Sequence, residues 1–218
     1  LSLSLDDYYL TKKQRVTLSK KIHPLLITRG VPGTHDIKKL LKHVRCFDRS
    51  IYPINIPIFD KINDDRLTKV KKIKTKADIL ILEGWCCASS AVQNSFLKKN
   101  INQIEKIFDR DLRWRNYYNH QLQNQYARLF KKFEKVIYLK VPSFSYIQNW
   151  RLKQEKMMKT RNNHIGAMNR KQILEFIQHY EKITKWMMKV LPSKANLTIN
   201  VDKNQKIKKI LFKKTTTD

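Results

Sequence analysis

The chain has 218 residues, 41% of them hydrophobic, which suits one α/β domain with a buried core, and no stretch nears the ~20 consecutive apolar residues of a membrane-spanning helix. Its formal charge of +28 is spread over lysines from Lys12 to Lys214, as in a general drift of residue usage, and no helix-turn-helix, zinc-finger or RNA-binding signature points to nucleic acid. Cys46, Cys86 and Cys87 are too few and wrongly spaced for a disulfide framework or a zinc site, and no leader pattern opens the chain, so a cytoplasmic location is expected.

In chain order, Leu1 to Leu5 alternates apolar residues with serine and reads as the end of a strand that delivers Asp6 and Asp7 to its carboxyl edge. Thr11 to His23 is a polar helix candidate. Thr28 to Asp36 packs two glycines and a proline into nine residues and reads as a loop. Ile37 to Phe47 has helical spacing, Ile51 to Asp65 holds Pro53 and Pro57 and reads as extended loop, and the Lys69 to Lys76 run reads as a solvated helix face or loop. Asp78 to Gly84 is a nearly continuous apolar run, the pattern of a parallel strand buried on both faces.

Downstream, Ile101 to Phe133 has helical spacing, with Trp114, Tyr117, Tyr118 and Tyr126 read as core and not as a base-stacking platform. Val136 to Val141 is the next strand, stopped by Pro142. Ser145 to Met158 and Lys171 to Val190 are helices, and residues 156–169 between them are a candidate lid. Ala195 to Val201 and Ile207 to Phe212 form a hairpin around Lys203 to Gln205. Strands alternating with helices predict one domain over residues 1–218, a mostly parallel sheet with helices on both faces.

Several polar residues fall where such a sheet binds ligands. Asp6 and Glu83 each close a strand on the same carboxyl edge, as phosphoryl transfer requires of groups that hold a metal and take the proton of an acceptor hydroxyl. A helix cap for Asp6 and a turn carboxylate for Glu83 are the bland alternatives. In the loop, Arg29, Thr34, His35 and Asp36 offer donors and acceptors for a small polar acid, while a loop histidine also serves as a local hydrogen-bonding residue. Arg151, with Lys153 and Arg161, would neutralise phosphates or simply cover a solvated helix.

At these residues the chain resembles the D-glycerate 3-kinase family of P-loop kinases, relatives of uridine kinase and phosphoribulokinase. The resemblance runs nearly end to end, through LSLDDYYLT (Leu3 to Thr11), HPLL (His23 to Leu26), TRGVPGTHD (Thr28 to Asp36), PIFDK (Pro57 to Lys61), Asp65-Arg66, Glu83-Gly84-Trp85-Cys86, Trp114-Arg115, Pro142-Ser143-Phe144, Trp150-Arg151 with Gln154-Glu155, and FIQHYEKIT (Phe176 to Thr184). It implies a three-layer P-loop kinase-like fold, ATP and Mg²⁺ as cofactors, and phosphorylation of a small hydroxy acid, with D-glycerate giving 3-phosphoglycerate. It implies Asp6 as catalytic base or metal ligand, Glu83 beside the metal, an acceptor pocket shaped by Arg29, Thr34, His35, Asp36, Lys61 and Arg66, and Arg151 at the nucleotide phosphates. The alternatives are a kinase for another small acceptor such as a nucleoside, or a decayed, non-catalytic protein.

The departures are specific. Cys87-Ala88-Ser89-Ser90 stands where the family carries a further glycine, and Leu112 and Ala167 differ from expectation. No G-x-x-x-x-G-K-[ST] occurs in the 218 residues, and the first residue is Leu1, not Met. The expectation is therefore a fragment whose N-terminal strand and P-loop lie upstream, poorly stable and poor at binding ATP by itself.

Overall fold

A computed structural model describes residues 1–161 and 168–213. Contacts divide the chain into two units, one formed by Leu1–Lys98 with Ile107–Lys132 and the other by Lys99–Lys106 with Phe133–Asp218.

The first unit starts with β1 (Ser2–Ser4), whose inward residue Leu3 is buried, and turns through a short 3₁₀ segment, Leu5–Tyr8, that carries Asp6 and Asp7. Helix α1 (Lys12–Lys21) begins at a capping box in which the Thr11 side chain and Gln14 satisfy each other's backbone amides. Helix α2 (Ile37–Asp48) is capped by Asp36 and buries Ile37, Leu40 and Val44, the spacing of one helical face. After α2 come β2 (Ile54–Asp60) and β3 (Asp65–Ile73), an antiparallel hairpin.

That hairpin corrects two expectations. The segment read as loop from Ile51 to Asp65 contains β2, because Pro57 sits at a bulge where the register shifts and its missing N–H costs no ladder bond. The Lys69 to Lys76 run falls largely in β3, a solvated strand and not a helix, with lysines along an edge that discourages further pairing.

β4 (Ile81–Glu83) pairs in parallel with β1, Ser2 opposite Ile81 and Ser4 opposite Glu83. It is shorter and more open than the apolar run suggested: Ile79 and Ile81 are 70% and 59% exposed. Among the described residues β4 has a hydrogen-bonded neighbour on one edge only, so its apolar side chains are not covered as those of an interior strand would be. Gly84 follows it where a Cβ would lie 2.6 Å from Cβ of Leu5, so the two strand ends approach to a distance only glycine permits.

The short helices α3 (Asn94–Lys98) and α4 (Gln103–Phe108) lead to α5 (Arg113–Gln121), which continues through a π-helical turn, Leu122–Tyr126, into α6 (Ala127–Phe130). Of the four aromatics read as core, Trp114, Tyr118 and Tyr126 are buried and Tyr117 is half-buried. Arg115 is buried as well, its Nε donating to Asp109 at 2.6 Å and its other nitrogens to the carbonyls of Leu97, Lys98 and Asp109.

In the second unit, β5 (Ile137–Lys140) pairs in parallel with β6 (Leu197–Val201), and β6 in antiparallel fashion with β7 (Ile207–Phe212), the expected hairpin. Helices α7 (Phe144–Arg161) and α8 (Arg170–Lys194) pack a small core of Phe144, Ile173 and Ile177. Of the candidate lid, residues 162–167 lie outside the described residues; the flanking Lys156–Arg161 continue α7.

Candidate functional site

The geometry starts from the parallel pairing of β1 and β4, which sets the chain just after Ser4 beside Glu83. The same edge therefore carries Asp6, Asp7 and Glu83, and Asp7 senses the charges of both of the others. Burial pushes Asp7 above the ordinary carboxylate range, its neighbours' charges add to that, and a hydrogen bond from the Phe59 amide at 3.3 Å works against it.

Asp6 behaves differently. Burial would raise it, but Lys61 Nζ at 2.7 Å and the Tyr9 hydroxyl at 2.6 Å, which donates to Oδ1, outweigh burial and hold it below its ordinary value. Asp6 is thus an ionised carboxylate at rest, with one donor on each oxygen. The exposed Glu83 makes neither a hydrogen bond nor an ion pair among the described residues.

The glycine-rich loop is fastened to this edge by backbone pairing. Leu10 N–H donates to Thr34 O at 2.8 Å and Asp36 N–H to Tyr8 O at 2.7 Å, an antiparallel bridge of Tyr9 with His35. His35 is buried, its ring 4.8 Å from that of Tyr9. Burial pushes the imidazole down to about 3, opposed by the nearby charge of Asp6, so it is neutral at any ordinary pH. Its Nδ1 lies 2.5 Å from the hydroxyl of Tyr126, and that hydroxyl also accepts the Gly33 N–H at 3.0 Å. Gly33 has φ of +97°, and a Cβ there would stand 2.5 Å from Cε1 of Tyr117, so the loop lies directly on α5.

The other sequence-predicted residues divide into two sets. Lys61 reaches Asp6, and Arg66 spans Asp36 at 3.4 Å and the Tyr9 carbonyl at 2.7 Å, so both close around the Asp6–Tyr9–His35 cluster. Asp36 also caps α2 through the Lys39 amide at 3.1 Å. Arg29 is turned onto Asp64 and over the Phe59 ring, 5.5 Å from its centroid. Thr34 is fully buried and closes the loop on itself, its hydroxyl donating to Val31 O at 2.7 Å and accepting Gly30 N–H at 2.9 Å. Arg151 belongs to the second unit, where it binds Glu155 at 2.9 Å and Gln154 at 2.8 Å.

Two residues that sequence reasoning did not place at the site belong to it. Tyr9 and Tyr126 carry hydroxyls bonded to Asp6 and His35, but Tyr126 at helical spacing signals core, and nothing local marks either hydroxyl as directed at a polar partner.

As a metal site the strand edge offers two hard carboxylates, Asp6 and Glu83, at adjacent strand ends, the donor type and number that Mg²⁺ takes while keeping most of its water. A second group, His23, Asp109 and Asp111, has ligand atoms within 4.8 Å of one another. Two of its three members are engaged elsewhere: His23 Nδ1 accepts the Leu25 amide at 3.2 Å, Nε2 lies 2.9 Å from Phe108 O, and Asp109 is held by Arg115.

No protein-family model matches the chain. It is 29% identical over 214 residues to an uncharacterized kinase, mug58, of Schizosaccharomyces pombe, a match covering 90% of this chain and 73% of that one. It is 28% identical over 229 residues to a probable ATP-dependent kinase, TDA10, of Saccharomyces cerevisiae, covering 94% and 73%. Among solved structures, D-glycerate 3-kinase of Cryptococcus neoformans superposes with a TM-score of 0.78 at 26% identity, over 97% of this chain and 79% of that one. Homology to kinases and the P-loop kinase-like fold agree with the sequence expectation. No helix among the described residues is long and apolar enough to cross a membrane.

Proposed function

We propose, from the premise that the chain is a phosphotransferase homologous to the D-glycerate 3-kinase family, that it directs the γ-phosphoryl group of ATP to a hydroxyl of a small hydroxy acid, D-glycerate first. The observation that carries this reading is the parallel register that brings Asp6 and Glu83 to one sheet edge, with Lys61 and Tyr9 bonded to Asp6 and His35 packed on Tyr9. Asp6 is ionised and takes the proton of the acceptor hydroxyl as the phosphorus–oxygen bond forms. Lys61, whose side chain is 59% exposed, is free to swing from Asp6 toward an incoming carboxylate. Glu83 and Asp6 would hold Mg²⁺, which supplies charge neutralisation for the phosphates when bound. Arg151 is assigned to the nucleotide phosphates by resemblance, and the whole chain is read as one catalytic domain acting in the cytoplasm.

An assay of the protein with Mg·ATP against D-glycerate, other small hydroxy acids and nucleosides tests this. Turnover of D-glycerate above the rest is the expected result; turnover of a nucleoside with none of a hydroxy acid overturns the acceptor assignment, and no turnover of any acceptor, by this chain or by a longer form carrying a G-x-x-x-x-G-K-[ST] loop, overturns the enzymatic reading.

A further inference from the structure

The acceptor side of the site contains a chain of contacts that the proposed reaction has not yet used: the Tyr9 hydroxyl donates to Asp6, the Tyr9 ring packs on His35, and His35 is hydrogen-bonded to Tyr126, 91 positions away. Its chemistry turns on where two protons sit. The Tyr126 oxygen accepts the Gly33 N–H, and its own proton needs an acceptor because the side chain is fully buried. Nδ1 of His35, 2.5 Å away, is the acceptor within reach. Were Nδ1 protonated instead, the tyrosine oxygen would receive two donors and its hydroxyl proton would be stranded in the core. The arrangement that satisfies every group puts the Tyr126 proton on the hydrogen bond to Nδ1 and the single imidazole proton on Nε2.

Local structure supports a deliberate placement. Tyr126 closes the π-helical turn Leu122–Tyr126, which shifts the helix register by one residue and so turns this side chain relative to the face defined by Trp114 and Tyr118. The backbone bridge of Tyr9 with His35 fixes the imidazole from the other side, and Nε2 has no partner among the described residues.

We propose that Tyr126 is a positioning residue that locks His35 as a neutral Nε2–H donor, and that this donor binds an oxygen of the hydroxy-acid acceptor beside Asp6. The proposal rests on the acceptor reading above. Its chemical sense is that a free Nε2 lone pair would compete with Asp6 for the acceptor's hydroxyl proton, whereas Nε2–H can only donate, so the hydroxyl is left a single base. The donor also holds the acceptor oxygen still while its proton leaves toward Asp6.

The test combines ¹⁵N histidine spectra of the full chain with kinetics of Tyr126→Phe, His35→Gln and the double variant. In the native protein the His35 signals, identified by their loss in His35→Gln, are expected to show an unprotonated Nδ1 and a protonated Nε2, and to move when D-glycerate is added. Tyr126→Phe is expected to mix the tautomers and raise KM for D-glycerate about tenfold, the weight of one hydrogen bond, with kcat little changed. A glutamine amide donates without help from Tyr126, so in the His35→Gln background the tyrosine change is expected to lose most of its effect. A purely structural tyrosine would cost the same in both backgrounds, and that result overturns the proposal. A proton on Nδ1 in the native spectrum also overturns it, even if Tyr126→Phe does not fold. Absence of all kinase activity would strike the functional reading instead, while the tautomer remains readable by itself.

Discussion

At the scale of single residues, the proposed site rests on one carboxylate being ionised and another group staying neutral. Asp6 is held ionised by Lys61 and Tyr9; in the proposed role as base, Asp6→Asn keeps the shape and removes that base, so kcat is expected to fall ~10²–10⁴-fold with the substrate KM nearly unchanged, as read by steady-state kinetics. A fall in affinity with normal kcat would instead make Asp6 a binding group. Away from the site, Arg115 and Asp109 form a buried pair at 2.6 Å with side chains 1% and 0% exposed. Arg115→Met leaves the Asp109 charge in the core with only backbone amides, and urea unfolding is expected to register a loss of about 3–5 kcal/mol. The sequence marked both kinds of residue, since charged side chains amid aromatics stand out, but it could not say which were chemical and which structural. Thr34 illustrates the limit: in the motif it looks like a substrate contact, and in the fold its hydroxyl is spent between Val31 and Gly30.

At the scale of elements, legibility followed the range of the forces involved. Helix α8 was readable over Lys171 to Val190 because its apolar spacing is local; its start lies at the edge of the stretch read as a lid, where Asn169 and Gln172 exchange hydrogen bonds at 2.9 and 2.8 Å. Asn169→Ala is expected to cost about 1 kcal/mol, measured by thermal or urea unfolding, and a change near zero would mean that packing on α7 alone holds this helix start. Strands β2 and β3 were not readable in the same way. Prolines and a lysine run argue against strands locally, and only the ladder between Ile54 and Ile73 at one end and Asp60 and Asp65 at the other makes the conformation favourable. The π-helical turn at Leu122–Tyr126 likewise has no local marker, and it sets the aim of Tyr126.

At the scale of the whole molecule, burial governs the response to pH. The His35 imidazole moves from 6.5 in the unfolded chain to about 3 in the folded one, and burial lowers His43 and His179 as well. A group with a depressed folded value binds its proton first in the unfolded state. Stability is therefore full above 6.5 and is lost as pH falls from there toward the folded value. Between about pH 7 and about pH 5 the urea midpoint is therefore expected to drop, with His35 alone contributing roughly 1 kcal/mol per pH unit. His35→Gln should flatten that slope, and a midpoint independent of pH in this window would contradict the buried, neutral assignment. Charge distribution belongs to this scale too. The +28 net charge is spread over solvated lysines of α1, α2, β3 and β7, in keeping with general residue usage more than with one binding face.

By itself the sequence determined the helices with a clear apolar stripe, the acidic strand end at Asp6 and Asp7, the loop from Thr28 to Asp36, and the kinship with kinases, because each is written in neighbouring residues or in motifs of fixed spacing. Only the tertiary structure decided that Ser4 stands opposite Glu83, that Lys61 and Tyr9 share Asp6, and that Tyr126 reaches His35. Those facts join segments up to 91 positions apart, where the outcome is set by strand register and by the need to pair every buried polar group, and neither leaves a trace in local spacing.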